Sequence, residues 1–167
     1  MTIEPAAIPN ADPIISLKDQ RDISVLEDIF TLGFTKSDPI TVFEDKENNF
    51  EVNVVFRTVT PSELMAVYEA AGCHGSLFAQ RISERLETLA RAIQFINRMP
   101  LLLSASDQAE YLKRVGLPED KAVTPLDQAK IILTEKIKSP AVIDALWEAY
   151  ETFRNTVTET VTNLKKK

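Results

Sequence analysis

Two segments of the chain, residues 78–99 and 140–165, carry large apolar residues at alternating steps of three and four positions. The apolar positions are Phe78, Ile82, Leu86, Leu89, Ile93 and Ile96 in the first segment, and Ile143, Leu146, Tyr150, Phe153, Val157, Val161 and Leu164 in the second. Because this spacing puts the side chains on one side of an α-helix, it predicts two long helices. Each would carry an apolar seam that is buried against other helices.

A different period appears between residues 40 and 58. Val52 and Val54 alternate with Glu51 and Asn53, as in a strand that is buried on one face. We predict strands over residues 40–44 and 50–58, joined by a polar turn at residues 45–49. Since a two-stranded hairpin is not stable alone, it is expected to pack on the helices.

Helix-start signals predict the remaining elements. Thr60-Pro61, Thr124-Pro125 and Ser139-Pro140 each put a hydroxyl residue before a proline, and Glu63 is spaced to complete a capping box with Thr60. The predicted helices after the hairpin cover residues 61–71, 77–98, 106–115, 125–137 and 140–165. With a short helix over residues 22–32, the predicted fold is mainly α with a small β-hairpin, an α+β bundle of five to six helices.

Residues 1–20 are predicted to form an extended arm in front of a single helical domain, residues 21–167. Pro5, Pro9 and Pro13 each bias the preceding residue away from the helical conformation. The arm also contains the aliphatic residues Ile3, Ile8, Ile14, Ile15 and Leu17. Two interpretations remain open, a terminus surrounded by solvent and an arm that lies on a partner protein.

Composition and charge exclude several classes of function. With 167 residues, of which 44% are hydrophobic, the chain is long enough for a real core, and no apolar run approaches the ~20 residues that span a bilayer. No secretory signal pattern is present, so we expect synthesis in a cytoplasm. The net charge of −6 argues against a nucleic-acid or membrane partner. The lysines at 165–167 are expected to complement the negative end of the last helix, with a phosphate-contacting tail as the alternative.

Residues suited to catalysis or metal binding are scarce. The single cysteine, Cys73, and the single histidine, His74, are neighbours, so their side chains diverge, whereas a metal needs three or four converging ligands. We therefore predict no metal and no cofactor, a partly buried Cys73, and a surface-loop His74 rather than a general base. The turn at residues 45–49 lacks the glycine and the distal glutamate of a calcium loop.

Charged residues on the long helices are spaced for ion pairs on exposed faces, which favours a structural over a catalytic interpretation. They are Arg81, Glu84, Arg85, Glu87 and Arg91 in the first helix, and Glu148, Glu151 and Arg154 in the last. For Trp147 and Tyr150, core packing is favoured and an interface anchor is the alternative. The candidate partner-binding residues are Ile8, Ile14, Ile15 and Leu17 of the arm, and Trp147, Tyr150 and Phe153 of the last helix.

Three motifs follow one another between residues 50 and 165. A strand enters a helix start of the form R-x-L-T-x-x-E, at Arg57, Val59, Thr60 and Glu63, with valine in place of leucine. The pattern L-x-x-A-I-x-x-I-N follows at Leu89, Ala92, Ile93, Ile96 and Asn97, and L-x-x-x-Y-x-x-F follows at Leu146, Tyr150 and Phe153. This order resembles small proteins of tailed bacteriophages, namely tail assembly chaperones and baseplate-hub assembly or structural proteins. Residues 101–124 match no part of that pattern, and none of the motifs is catalytic.

The resemblance implies a non-enzymatic structural component of a phage tail or baseplate, which acts by protein–protein interaction in virion assembly. Its partners would be other subunits of that assembly, with homo-oligomers possible. It would be made in the host cytoplasm and found in the virion. Two alternatives stay open: a transient tail or baseplate assembly chaperone that is absent from the finished particle, and a small cytoplasmic enzyme with an unrecognised site.

Overall fold

The computed structural model describes residues 36–164. In chain order the elements are β1 (Ile40–Asp45), β2 (Phe50–Phe56), α1 (Pro61–Gly72), α2 (Leu77–Ala92), β3 (Ile93–Ile96), α3 (Ala105–Val115), α4 (Pro125–Ile131) and α5 (Pro140–Leu164). A π-helical segment, Ile132–Lys136, continues α4. The α+β class is confirmed, and so are the five helices predicted after the hairpin. The predicted arm, the predicted helix at 22–32 and the lysines at 165–167 lie outside the described residues.

The hairpin forms where the alternation predicts it. β1 and β2 are antiparallel, with Asp45 opposite Phe50 at the turn. The Asp45 carboxylate accepts hydrogen bonds from the backbone N–H groups of Glu47 (3.0 Å) and Asn48 (3.2 Å). Asn49 has a φ of 49°, a left-handed conformation that asparagine tolerates better than most residues. These residues therefore act as a turn, as predicted.

The predicted helix over residues 77–98 is wrong beyond Ala92. Residues Ile93–Ile96 form β3, which pairs antiparallel with β2 and places Phe95 opposite Val55. Three of its four residues are β-branched or aromatic, which favours a strand. The pairing also satisfies backbone groups on the edge of β2 that a two-stranded hairpin leaves open. The sheet order is β1-β2-β3, with β2 in the centre.

Side-chain caps set the helix boundaries that the sequence predicts. Thr60 accepts a hydrogen bond from the backbone of Glu63, and the Glu63 carboxylate accepts one from the backbone N–H of Thr60 (2.9 Å), which completes the capping box. Thr124 accepts from the backbone of Asp127 (3.1 Å) at the start of α4. α3 ends at Gly116, whose φ of 70° suits a residue without a Cβ.

The core lies between the sheet and helices α2, α4 and α5. Val54, Phe56, Leu89 and Leu146 are almost completely buried there. The Phe56 ring has its centroid 5.8 Å from that of Tyr150 and 6.3 Å from that of Phe153, in the range of favourable aromatic pairs. The C-terminal part of the α2 seam and much of the α5 seam are therefore used inside the chain.

One buried amide attaches the segment around α3 to the core. Gln128 of α4 is 7% exposed, and its Oε1 accepts a hydrogen bond from the backbone N–H of Leu103 (2.9 Å). Its Nε2 donates to the carbonyl of Val123 (2.8 Å). Leu101 and Leu103 are buried beside it. Nothing in the sequence distinguishes Gln128, because a glutamine on a helix is usually exposed.

Candidate protein-binding surface

Helices α1 and α2, together with the turn that joins them, form what we call the helical hairpin, Pro61–Ala92. It carries six exposed large hydrophobic side chains, which are Leu64, Met65 and Tyr68 on α1 and Leu77, Phe78 and Ile82 on α2. The predicted burial of the α2 seam is wrong in its first half, since Phe78 is 75% exposed and Ile82 is 42% exposed, whereas Leu89 is completely buried. None of the elements within residues 36–164 covers the start of this seam.

The exposed half of the seam lines a groove between α2 and the junction of α4 with α5. Two adjoining cavities, of about 450 and 520 Å³, are both lined by Phe78, Ile82, Leu86 and Thr134. Ile137 and Ile143 add apolar surface on the far side. We call this feature the α2 groove. Each cavity is in the size range of ligand pockets, and most of the groove surface is apolar.

The edges of the α2 groove are charged. Arg85 pairs with Asp144 (2.9 Å), and Lys130 pairs with Glu87 (2.7 Å). Lys138 also lines the groove, is exposed, and makes no ion pair with another residue that the structure describes. Because the paired charges cancel, Lys138 leaves the groove edge with a positive excess.

The ion-pair cluster of Glu87, Arg91 and Lys130 corrects the prediction that Glu87 and Arg91 lie on an exposed face. Their side chains are only 14% and 8% exposed, because α4 packs along this part of α2 and brings Lys130 close to them. Burial by itself would raise the pKa of Glu87, but hydrogen bonds from Lys130 and Arg91 outweigh it, so the net pKa is lowered. The ionised Glu87 carboxylate therefore holds α4 against α2.

A second ion pair fixes the start of the helical hairpin. Arg57, at the end of β2, donates two hydrogen bonds to the carboxylate of Glu63, one of them 2.8 Å long. Chiefly because of these bonds, with help from Thr60, the pKa of Glu63 falls from 4.5 to about 2. Both residues belong to the strand-to-helix motif of the sequence. Their pairing orients α1 relative to the sheet.

The candidate residues of α5 do not form one surface. Tyr150 and Phe153 are core residues instead of partner contacts, being 3% and 7% exposed, because the α5 seam packs against Phe56 of the sheet. Trp147 is half-buried, and the guanidinium carbon of Arg85 lies 5.6 Å from its ring centroid. Arg154 and Glu151 pair as predicted (2.9 Å). The other candidates, Ile8, Ile14, Ile15 and Leu17, lie outside the described residues.

Cys73 and His74 lie in the turn between α1 and α2, and both are exposed. The predicted partial burial of Cys73 is wrong because α1 ends at the surface, where the thiol donates to the carbonyl of Glu69 (3.3 Å). Within residues 36–164, no group of three or more His, Cys, Asp or Glu side chains is arranged to hold a metal. None of the described helices is both long and apolar enough to cross a membrane.

Sequence reasoning missed the α1 part of the surface. Leu64, Met65 and Tyr68 exceed what α1 needs to bury, since Val67 and Ala71 are the residues of this helix that are buried. The excess of large apolar residues on this short helix is the signal that could have identified them.

Comparisons with known proteins add no relative of this chain. No family model, curated protein or solved structure matches it.

Proposed function

We propose that this protein is a non-enzymatic assembly component that binds other protein subunits through the helical hairpin and the α2 groove. The observation that carries the proposal is the concentration of six exposed large hydrophobic side chains on one helical hairpin beside an apolar groove. Large apolar side chains that are exposed in one region of a protein are typical of interaction sites.

The binding mechanism is burial of apolar surface on a rigid scaffold. A phenylalanine or isoleucine that becomes fully buried contributes ~1.5–3 kcal/mol, so Phe78 and Ile82 are the expected anchors. The ion pairs of Glu63 and Glu87 hold α1, α2 and α4 in position before a partner arrives. A preorganised surface loses less free energy to reorganisation on binding.

The resemblance of residues 50–165 to tailed-phage proteins supports a place in a tail or baseplate, with the protein retained in the virion. The partners are then other subunits of the same assembly. Arg57 and Glu63, two residues of the shared motif, make the ion pair that orients the proposed binding surface. This link between motif and surface favours an interaction role over catalysis.

The test compares the wild type with the variant Phe78→Ser/Ile82→Ser in cells that also produce the other tail proteins. Mass spectrometry of purified particles is expected to find the wild type at a fixed ratio to the other subunits, and the variant at a ratio at least several-fold lower. Met99→Ser is the matched control, because Met99 is 71% exposed but lies outside the helical hairpin and the α2 groove.

Two outcomes would contradict the proposal. A wild type that binds tail proteins in extracts but is missing from finished particles indicates the transient chaperone. Equal incorporation of the wild type and the double variant would mean that the helical hairpin and the α2 groove take no part in assembly. Thermal unfolding of the variants separates a loss of binding from a loss of folding.

A further inference from the structure

The α2 groove is open among residues 36–164, although its walls carry side chains that are normally buried. We propose that in the free protein residues 1–20 of the same molecule occupy this groove and cover it. A role of this segment in regulating partner binding rests on the proposed function, because a partner that uses the groove must displace the segment. The occupancy itself is a property of the isolated chain.

The described chain begins at a point from which residues 1–20 reach the groove. The backbone of Lys36 forms an antiparallel β-bridge with that of Arg57. The backbone N–H of Arg57 donates in turn to the carbonyl of Ala92 (2.8 Å), at the end of α2. Phe78 lies fourteen positions earlier on that helix, which corresponds to ~21 Å.

The connecting residues 21–35 are long enough for that distance. Fully extended, these fifteen residues span ~50 Å. If residues 22–32 are helical, the span is still ~30 Å. Both values exceed the distance along α2, so the tether does not limit access to the groove.

The composition of the first twenty residues suits an apolar groove. Ile8, Ile14 and Ile15 supply large aliphatic side chains, and Pro9 and Pro13 restrict the backbone to extended conformations. A restricted segment loses less conformational entropy when it binds. Phe78 on one wall of the groove and Ile143 on the other offer apolar surface to such side chains.

Charge also favours this occupant. Residues 1–20 contain three acidic side chains and one basic side chain, whereas Lys138 leaves the groove edge with a positive excess. The attraction is expected to weaken at high salt, because exposed charges are screened. A second copy of the chain has to compete with a tethered segment whose effective concentration is in the millimolar range.

The experiment places a nitroxide spin label on the full-length chain at Ala11→Cys, in a Cys73→Ser background. Paramagnetic broadening of ¹⁵N-labelled amides then reports which residues the segment approaches. We expect strong broadening of the amides of residues 78–86, and a several-fold smaller effect in the variant that also carries Phe78→Ser. Met99→Ser is the control and is expected to leave the broadening unchanged.

A mixed sample separates the two sources of the segment. Spin-labelled molecules without ¹⁵N are combined with ¹⁵N-labelled molecules without the spin label. If the groove amides broaden in this mixture as strongly as in the chain that carries both the spin label and ¹⁵N, a second copy supplies the segment and the proposal is overturned. The proposal predicts no broadening of the groove amides in the mixture. Their lack of broadening in the chain that carries both the spin label and ¹⁵N overturns it as well.

Failure of this inference and failure of the proposed function give different results. If the segment does not occupy the groove, the amides of residues 78–86 are not broadened, while the incorporation of the protein into particles still depends on Phe78. If the protein is not an assembly component, incorporation is lost while the groove amides still broaden.

Discussion

At the scale of single residues, Glu63 shows how one side chain serves the local fold and the candidate surface together. Its carboxylate accepts hydrogen bonds from Arg57 and from the backbone N–H of Thr60. Both bonds are stronger when the carboxylate is ionised, and the bond from Arg57 is the main reason that the pKa of Glu63 lies at about 2 instead of 4.5. The same contacts connect β2 to α1.

This pKa shift predicts how the stability of the protein depends on pH. Because the folded-state pKa is the lower one, the stabilisation is complete above about pH 4.5 and is lost as the pH falls toward 2. After allowance for solvent screening, it amounts to ~2 kcal/mol. Glu63→Gln is therefore expected to lower the free energy of unfolding by about that amount at pH 7 and to have almost no effect near pH 2.

Urea unfolding at pH 7, 4 and 2 checks this expectation. Glu69→Gln is the matched control, because Glu69 is an exposed residue of the same helix and makes no described side-chain hydrogen bond or ion pair. A Glu63→Gln effect that stays constant between pH 7 and 2 would contradict the argument.

At the scale of elements, α2 has one apolar seam with two different environments. Phe78 and Leu89 belong to the same stripe, but Phe78 is 75% exposed and Leu89 is completely buried. The difference arises because the sheet and α5 cover only the C-terminal part of the helix. The N-terminal part remains available as one wall of the α2 groove.

Substitutions at the two ends of the α2 seam are expected to differ in their effects. Leu89→Ala should lower the free energy of unfolding by ~2–5 kcal/mol, since it opens a cavity in the core. Phe78→Ser should lower it by less than Leu89→Ala does, because it opens no cavity in the core and loses only the proposed contact with residues 1–20. Chemical denaturation of both variants in one buffer provides the comparison. A loss for Phe78→Ser as large as that for Leu89→Ala would contradict this expectation.

At the scale of the whole molecule, charge and apolar surface are unevenly distributed. Residues 1–35 hold six of the chain's twenty-five acidic side chains but only two of its nineteen lysines and arginines. The helical hairpin holds six exposed large hydrophobic side chains. Such a surface promotes association unless it is covered.

Deletion of residues 2–20 is expected to leave the core folded, because the core residues lie between Val54 and Phe153. The uncovered α2 groove should then make the protein self-associate as its concentration rises. Sedimentation at several concentrations checks this, with near-ultraviolet circular dichroism as the measure of folding. Identical sedimentation of the full-length and shortened chains would mean that residues 2–20 do not cover the surface.

Much of the fold was predictable because the relevant interactions are local. The Thr60 and Thr124 caps depend on residues three positions away, and the hairpin turn depends on neighbours of Asp45. The strand Ile93–Ile96 was not predictable in this way, since its three- and four-residue spacing also suits a helix. The deciding factor was the open edge of β2, which lies about forty residues away in the chain.

The candidate surface was predicted less well than the fold. The α2 seam was recognised from Phe78 and Ile82, but its first half was expected to be buried. Tyr150 and Phe153 were candidates for a partner and are core residues, because a seam looks the same in sequence whether it packs within the chain or outside it.

The sequence by itself determined the type of most of the described elements and where the helices begin, because capping, turn geometry and apolar periodicity act over a few residues. Only the tertiary structure decided which parts of each seam are buried, that Glu87 forms an ion pair with Lys130, and that β3 completes the sheet. Those outcomes depend on contacts between residues far apart in the chain, and such contacts exist only once the elements have packed.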